Sequence, residues 1–413
     1  MAGGSGLNTA THLSALIRYF DSEGTGSIDV NLQTCFNETD HYGQIITNHA
    51  KQHEFQLLNC SRRRINEGVD KDPLATGHCV VFVEKGQRRF ATHLGTMSVF
   101  KASDTMLHEL VGYRTADPRF INHHHHIHIA GFYNIPGFAE NGNLKKRLKL
   151  IREKRRAMST ESAILTTTIS LVSQYDATEE WDGGLLTEVL PLVDFFILNS
   201  LEAAKLTGID INEKDFGSDV ERNDNLVKLA DFFWETSPQT YVIVTLGEFG
   251  AVCLFMGEII ATVNAPIRIK KPLDTTGAGD GFAAGFIFGA MDWRRSKDHE
   301  NCSEIGSSLQ GAWTGAIVEG MWCGCATGTS CVQVLGASIP PSRESLEMLL
   351  YPEETETDYD ALSDEEQDDD SDIYYSDEDS DYTSGSSSES DDSYSTVDDE
   401  NRMQSSKNKI YEA

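Results

Sequence analysis

The second half of the chain alternates short apolar runs with segments of helical periodicity. Apolar runs ended by polar or glycine residues predict strands at residues 163–172, 194–199 and 241–247. Helical spacing of apolar positions predicts helices near residues 184–192, 201–208 and 220–235. This alternation predicts an α/β domain with a mostly parallel sheet covered on both faces. Because ligands bind such sheets beyond the carboxyl ends of the strands, Asn199 and Gly247 are candidate site residues.

The first half is less regular and contains shorter strands. Helices are predicted over residues 7–20, 43–56 and 144–157, and a helix rich in small residues over 312–335. Strands are predicted at residues 28–36, 126–132 and twice within 76–95, where Lys85 and Gly86 form a turn.

Charge separates a globular part from an acidic tail. The 413 residues carry a formal net charge of -31, and residues 353–413 hold 23 Asp/Glu against 3 Lys/Arg, or -20 of that total. Such a segment repels itself and has little apolar surface to offset its ordering entropy, which predicts a disordered tail over 351–413. The overall negative charge disfavours a nucleic-acid partner, because phosphate binding requires a basic face.

The sequence contains neither an apolar run of 18 residues nor a basic segment followed by an apolar one at its start. Its eight cysteines are scattered through a chain too long to need disulfide staples, which favours reduced thiols. We therefore predict a cytoplasmic protein with no membrane partner.

The strongest chemical signal is KPLDTTGAGDGFAAGFIFGAM, residues 271–291. Gly277, Ala278 and Gly279 leave the backbone accessible, and the apolar run from Phe282 predicts that a helix begins there. Amides at a helix N-terminus bind anions such as a phosphoryl group. Asp280 lies in the same turn, and an acid beside a phosphate indicates a general base acting on an acceptor hydroxyl.

The full DTTGAGDGF string resembles the C-terminal signature of the PfkB, or ribokinase-like, carbohydrate and nucleoside kinases. The resemblance implies that Asp280 is the catalytic base and that Gly277, Ala278 and Gly279 line the anion hole. It also implies a monovalent cation, K⁺, near Asp274 and Thr276.

Other stretches extend the resemblance over about residues 3–350. DFFILNSLEAAKL is similar to the family's Asn-x-x-Glu motif and implies that Asn199 and Glu202 organise Mg²⁺ and the ATP phosphates. In isolation these residues would be a helix cap and a surface acid. YVIVTLGEFGA implies nucleotide contacts by Thr245 and Gly247. TGHCVVFVEKGQ resembles lid strands of adenosine kinases, whereas QYDATEEWDG and GCATGTSCVQVLGAS resemble a sugar-kinase branch, so the branch stays open.

The opening GGSGLNTATHLSAL resembles the family's N-terminal glycine motif. It implies that Gly3 and Gly4 let the sugar approach the backbone and that Asn8 hydrogen-bonds a hydroxyl. Family members usually have a strand before this motif, with an Asp that binds the sugar. We therefore expect a domain over 1–350 that lacks the first strand, leaving a neighbouring strand edge unpaired and one side of the pocket open.

The resemblance implies a three-layer α/β/α ribokinase-like fold with a small β lid within about residues 28–100. The expected activity is transfer of the ATP γ-phosphoryl group, with Mg²⁺, to a hydroxymethyl group of a sugar or nucleoside, adenosine or a ribose-like sugar. The alternatives are an inactive kinase fold acting as a scaffold through its acidic tail, and a nucleoside-binding regulator. The expected protein is a monomer or a dimer formed through the lid.

Four further features of the sequence suggest additional chemistry. His124, His126 and His128 could share one strand face and bind a metal, but an exposed strand entrance is favoured because no partner ligand group is recognisable. Cys323, Cys325 and Cys331 lack zinc-site spacing and are expected to be buried thiols. The basic residues at 145–156 are expected to form a solvated helix face, and tail serines such as Ser363, followed by acids, are candidates for phosphorylation.

Overall fold

A computed structural model describes residues 2–20, 28–61, 74–84, 87–106, 125–158, 167–211, 223–295, 309–352 and 409–412. The strands are β1 (Asn31–Thr34), β2 (Gln56–Asn59), β3 (His78–Glu84), β4 (Gln87–His93), β5 (His125–Ala130), β6 (Thr167–Val172), β7 (Phe195–Asn199), β8 (Tyr241–Thr245), β9 (Ala251–Phe255), β10 (Glu258–Val263) and β11 (Lys409–Glu412). The helices are α1 (Ser5–Phe20), α2 (His41–Gln52), α3 (Pro136–Ala139), α4 (Asn143–Met158), α5 (Ser200–Thr207), α6 (Asp224–Thr236), α7 (Ala278–Arg295), α8 (Leu309–Cys331) and α9 (Arg343–Leu350).

The described strands include a six-stranded central sheet in the order β10-β9-β8-β7-β6-β5. Strands β5 to β8 pair in parallel, whereas β9 and β10 pair antiparallel. Parallel neighbours require crossover connections, and helices α4 to α6 lie between successive parallel strands along the chain. The predicted α/β fold with a mostly parallel sheet is therefore confirmed.

Alternate strand residues enter two separate hydrophobic cores. In β7, Phe196 and Leu198 belong to one core, which also contains buried residues of α4 and α6. Phe195 and Ile197 belong to the other core, with buried residues of α7 and α8. Successive strand side chains point to opposite faces, so the sheet is the middle of three layers.

The first half differs from the pattern-based prediction at one helix end. Helix α2 ends at Gln52, and Glu54 adopts a positive φ of 59°, after which residues 56–59 form β2 instead of continuing the helix. Strand β2 pairs in parallel with β1, in a sheet separate from the central one. A local helix preference is here overridden by pairing with a distant strand.

The predicted hairpin is present as β3 and β4, and β4 also pairs with β11 on its other side. Its turn at Lys85 and Gly86 and the tail residues 353–408 lie outside the described residues, so the tail prediction stays a prediction. Among the described helices, none combines the length and apolar content needed to cross a membrane.

Strand β5 is an edge of the central sheet as described. Helix α1 lies beside both this edge and the smaller sheet, since a Cβ at Gly6 would be 3.3 Å from Leu32 Cδ1 of β1 and 3.7 Å from Ala130 Cβ of β5. The predicted boundary at residue 350 and the absent first strand stay predictions.

Helices α7 and α8 pack through glycines spaced four residues apart, which share one helix face. These glycines are Gly281, Gly285 and Gly289 on α7, and Gly320, Gly324 and Gly328 on α8. A Cβ at Gly285 would lie 2.3 Å from the Cys323 carbonyl oxygen, and one at Gly281 would lie 2.5 Å from Cys331 Sγ. The backbones approach too closely for any larger residue, and this contact positions the first turn of α7.

We expect Gly285→Ala to destabilise the fold by about 1–3 kcal/mol, because the added methyl group meets backbone that cannot move independently. The measurement is the free energy of unfolding in urea. Gly279→Ala is the matched control in the same helix, since its Cβ would meet nothing within 4 Å. Equal stability of the two variants would contradict the packing described here.

Candidate active site

The turn before α7 is held against the segment that follows α8. Gly277 has a φ of +82°, and a Cβ there would lie 2.7 Å from Ala337 Cβ. The turn is closed by a hydrogen bond of 2.8 Å from the Gly281 amide to the Gly277 carbonyl oxygen. Only glycine combines this conformation with this close approach, so the turn places the first residues of α7 at a defined position.

The first turn of α7 presents backbone amides toward open space. Within the described residues, no backbone hydrogen bond uses the amides of Gly279 or Asp280, and a Cβ at Gly279 would meet nothing within 4 Å. Amides at a helix N-terminus lack intrahelical acceptors and carry the positive end of the helix dipole. This turn can therefore bind an anion.

Two neutral side chains of helix α1 hold the carboxylate of Asp280. Ser5 Oγ donates to Oδ1 at 2.5 Å, and Asn8 Nδ2 donates to Oδ2 at 2.7 Å. Helix α1 packs against α7, and this packing brings the opening glycine motif to the turn that follows residue 276.

Burial raises the pKa of Asp280 to about 6, although the hydrogen bonds from Ser5 and Asn8 oppose the shift. Desolvation disfavours the charged form of a carboxyl group, whereas donors to that form favour it. A carboxyl group with this pKa is ionised at neutral pH and basic enough to accept a proton.

A second carboxylate lies close enough to interact with the first. Asn199 caps α5 by accepting a hydrogen bond from the Glu202 amide at 2.8 Å, and Glu202 Oε2 accepts from the Asn199 amide at 3.1 Å. Ser173 Oγ donates to the same oxygen at 3.3 Å. Burial, followed by the nearby charge of Asp280, raises the pKa of Glu202 to about 7. Asn199 and Glu202 thus form the helix cap considered above, but Glu202 is buried and not a surface acid.

Asp280 and Glu202 have no cationic partner among the described residues, whose ion pairs involve other acids. The described part of the chain also contains no cluster of three or more His, Cys, Asp or Glu side chains arranged to hold a metal ion. The two carboxylates could therefore help to bind a cation. Mg²⁺ fits this site, because it usually takes one or two carboxylates and completes its coordination with water and phosphate oxygens.

The other predicted site residues lie at the anion-binding turn and at the carboxyl edge of the sheet. Asp274 Oδ1 accepts from the Thr276 amide at 2.9 Å, and Oδ2 accepts from the Gly336 amide at 3.0 Å, which ties the anion-binding turn to the segment after α8. At the carboxyl edge of the sheet, Thr245 is the β8 partner of Asn199, and Gly247 follows with a φ of +56°.

At the start of the chain, Gly4 has a φ of +102°, and its carbonyl oxygen accepts from the Asn8 amide at 2.9 Å. A Cβ at Gly3 or Gly4 would meet nothing within 4 Å, so a ligand could approach the backbone here. The Asn8 side chain instead contacts Asp280, and its Oδ1 is buried without a hydrogen-bond partner.

Sequence reasoning missed Ser173 and the contact of Ser5 with Asp280. The signal for Ser173 was present, because this residue directly follows the apolar run that ends at Val172. The carboxyl-end rule that selected Asn199 and Gly247 applies equally to this strand.

The histidines and basic residues discussed in the sequence analysis make hydrogen bonds or ion pairs within the protein. His126 hydrogen-bonds Thr168 and Ser170, and His128 hydrogen-bonds Ser170, whereas His124 lies outside the described residues. In the basic helix α4, Arg155 pairs with Asp194 at 2.8 Å and Lys145 pairs with Glu188 at 3.0 Å. Several of these cations therefore bind the protein's own surface. The three cysteines are buried, as expected.

Comparison with known proteins identifies the protein family. The pfkB family of carbohydrate kinases matches residues 1–313. The chain belongs to this family and is a phosphotransferase with a ribokinase-like fold.

Solved structures share the fold at low sequence identity. Ribokinase from Giardia lamblia is 18% identical with a TM-score of 0.57, covering 84% of this chain and 88% of that chain. Adenosine kinase from Sinorhizobium meliloti is 18% identical with a TM-score of 0.52, covering 83% and 80%. A fructokinase from Vibrio cholerae O395 is 17% identical with a TM-score of 0.52, covering 84% and 91%.

We expect Glu202→Gln to remove a pH-dependent loss of stability. A carboxyl group whose folded pKa is raised stabilises the fold below its unfolded pKa, and that contribution is lost as pH rises toward the folded value of about 7. As the pH rises from 4 to 8, the free energy of unfolding of the variant should therefore increase relative to that of wild type by on the order of 2–3 kcal/mol. The measurement is urea unfolding of both proteins across this range. The exposed Glu344→Gln is the control, and a pH-independent difference for Glu202→Gln would contradict the burial effect.

Proposed function

We propose that the protein transfers the γ-phosphoryl group of ATP to a hydroxymethyl group of a sugar or nucleoside, with Asp280 as the general base. The observation that carries the proposal is the first turn of α7. It combines anion-binding amides with a carboxylate whose pKa is raised to about 6 and which Ser5 and Asn8 hold in place. A kinase must place the group that accepts the hydroxyl proton next to the groups that bind the transferring phosphoryl.

In the proposed reaction, the Asp280 carboxylate accepts the proton of the acceptor hydroxyl as the hydroxyl oxygen attacks the γ-phosphorus of ATP. The bond between that phosphorus and the β–γ bridging oxygen breaks, and ADP is the leaving group. The amides of Gly277, Ala278 and Gly279 stabilise the negative charge on the transferring phosphoryl group. Ser5 and Asn8 keep the carboxylate oriented, because each donates to a different oxygen of Asp280.

The residues present fit an ATP–Mg²⁺ complex. We assign Glu202 as the carboxylate that supports Mg²⁺ through water, and Asn199 as the cap that orients Glu202. Mg²⁺, when bound, neutralises charge on the phosphate oxygens. Thr245 and Gly247 share this edge of the sheet and are proposed to contact the nucleotide.

A monovalent cation, K⁺, near Asp274 and Thr276 is part of the proposal. Both Asp274 oxygens accept amide hydrogens, so this carboxylate orders the anion-binding turn whether or not the cation is bound. No step of the proposed reaction requires the cation to contact the acceptor.

The acceptor is proposed as adenosine or a ribose-like sugar, bound near Gly3, Gly4 and Asn8. The Vibrio cholerae fructokinase was solved with fructose, ADP and a calcium ion, which supports a pairing of sugar, nucleotide and metal in this fold. Coupled ATP-consumption assays with adenosine, ribose and fructose test the acceptor. Ligand-induced thermal stabilisation without turnover would favour a regulator, and neither effect would favour a scaffold.

Asp280→Asn should lower kcat by about 100-fold or more, because the amide cannot accept the hydroxyl proton. The measurement is steady-state ATP consumption with the best acceptor, accompanied by thermal shift with nucleotide to show that binding is retained. Asp231→Asn, on the distant helix α6, is the control that should keep wild-type turnover. Wild-type turnover in Asp280→Asn would refute the assignment of the base.

Activity should fall as pH decreases through about 7 to 6, where Glu202 and Asp280 take up protons. The protonated forms can neither support a cation nor accept the hydroxyl proton, so the loss is on the acidic side. The measurement is kcat/KM against pH, which reports groups of the free enzyme. A flat profile between pH 8 and pH 5 would contradict the roles of both carboxylates.

A further inference from the structure

We propose that His12 is a positioning residue that fixes the anion-binding turn before α7 relative to the Asp280 carboxylate. The inference rests on the proposed kinase function and adds a residue of α1 to which the sequence assigned no role. His12 lies four residues after Asn8, so the two side chains share one face of α1. Asn8 contacts Asp280 from this face, and His12 contacts the segment that supports the turn.

His12 holds a backbone carbonyl behind the turn. Its Nε2 atom lies 2.9 Å from the Ala337 carbonyl oxygen, and the histidine is only 1% exposed. A carbonyl oxygen can only accept a hydrogen bond, so Nε2 carries the proton that is donated. Burial lowers the pKa of His12 to about 4, although this hydrogen bond opposes the shift, and the imidazole is therefore uncharged at neutral pH.

The residue that His12 binds is the one on which the turn packs. A Cβ at Gly277 would lie 2.7 Å from Ala337 Cβ and 2.9 Å from the same carbonyl oxygen that faces His12. Gly277 therefore has no room to move toward Ala337, and a displacement of Ala337 would be passed directly to the turn.

The neighbours of Ala337 connect the same segment to both sides of the site. The Gly336 amide donates to Asp274 Oδ2 at 3.0 Å, next to the anion-binding turn. The buried Ser338 Oγ donates to the Ala2 carbonyl oxygen at 2.7 Å, next to the opening glycines. Residues 336–338 thus join the start of the chain to the turn, and His12 holds the middle residue of the three.

Cys331 gives His12 a second contact with the turn. Cys331 Sγ lies 3.7 Å from Nε2 and 3.9 Å from Nδ1 of the imidazole, and a Cβ at Gly281 would lie 2.5 Å from this sulfur. Gly277 and Gly281 are the two residues joined by the hydrogen bond that closes the turn. His12 therefore supports both ends of the turn, through one residue at each end.

Helix α1 positions both groups that the reaction needs. Ser5 and Asn8 bind the two carboxylate oxygens of Asp280, and His12 fixes the turn amides through Ala337. Phosphoryl transfer depends on the distance between the base and the groups that bind the phosphoryl, and a misplacement of about 1 Å can cost on the order of 100-fold in rate. The hydrogen bond from His12 therefore affects kcat although His12 touches no reactant.

The test compares His12→Gln, His12→Met, Ala337→Gly and the control His128→Met. Glutamine keeps an N–H donor on a side chain of similar length, whereas methionine keeps the bulk and removes the donor. Ala337→Gly removes the methyl group next to Gly277 and leaves the carbonyl in place. His128 is the matched control, because desolvation lowers its pKa to about 4 as well and its hydrogen bond goes to Ser170 of the central sheet. The measurements are kcat, KM for ATP and for the acceptor, thermal unfolding, and NMR shifts of the turn amides.

His12→Met should lower kcat by about tenfold or more, the scale of leaving one buried acceptor without its donor, with KM for the acceptor little changed. His12→Gln should stay within about threefold of wild type, because it retains a donor. Ala337→Gly should also lower kcat, and combining it with His12→Met should lower kcat by less than the product of the single effects. The amide shifts of Gly277 and Gly279 should move in His12→Met and not in His12→Gln. His128→Met should lose thermal stability and keep wild-type kcat.

Wild-type kcat in His12→Met would overturn the proposal. Equal losses in His12→Gln and His12→Met that merely follow thermal stability would overturn it in favour of a structural role. Effects of His12→Met and Ala337→Gly that multiply would show that His12 does not act through Ala337, which would also overturn it.

The amide shifts separate this proposal from the proposed function. If the wild-type protein shows no turnover with any acceptor, the proposed function fails. Shifted Gly277 and Gly279 amides in His12→Met alone would then still support the positioning of the turn by His12, and unshifted amides would overturn it.

Discussion

The site depends on the hydrogen bonds that join the Asp280 carboxylate to helix α1. Ser5 and Asn8 each bind one carboxylate oxygen, at 2.5 and 2.7 Å. These contacts connect residues that are more than 270 positions apart, and they exist only because α1 packs on α7. They also oppose part of the desolvation that raises the pKa of Asp280. The same interaction therefore fixes the position of the candidate base and limits how far burial raises its pKa.

Close packing between backbone segments fixes the position of the first turn of α7. The glycines of α7 and α8 allow the two helices to approach until a single added methyl group would meet backbone atoms, and Gly277 packs equally closely on Ala337. The anion-binding turn is thus held mainly by close backbone packing, to which the Asp274 carboxylate adds two hydrogen bonds. Side-chain donors hold the two carboxylates, since Ser5 and Asn8 donate to Asp280 and Ser173 donates to Glu202. Within the part of the chain that the structure describes, these two acids have no cationic partner, which suits a cation supplied from outside.

Much of the fold followed from local patterns. The parallel strands β6, β7 and β8 and the start of α7 were predicted from apolar runs and their boundaries, because buried strands of a parallel sheet have a strong hydrophobic signal. Strand β2 was not predicted, and its first residue, Gln56, was assigned to the end of a helix over 43–56. Strands β9 and β10 were not predicted either. Each of these depends on a neighbouring strand, since its own residues are only partly apolar or end at a turn that periodicity does not detect.

By itself, the sequence determined the class of fold, the family signature around Asp280 and the Asn199–Glu202 helix cap, because each is encoded within a few consecutive residues. Tertiary structure alone decided that Asn8 contacts Asp280 and that Glu202 is buried within electrostatic reach of it. These interactions join different elements, and their existence depends on how the helices pack on each other and on the sheet. That packing cannot be read from the identity of a residue and its immediate neighbours.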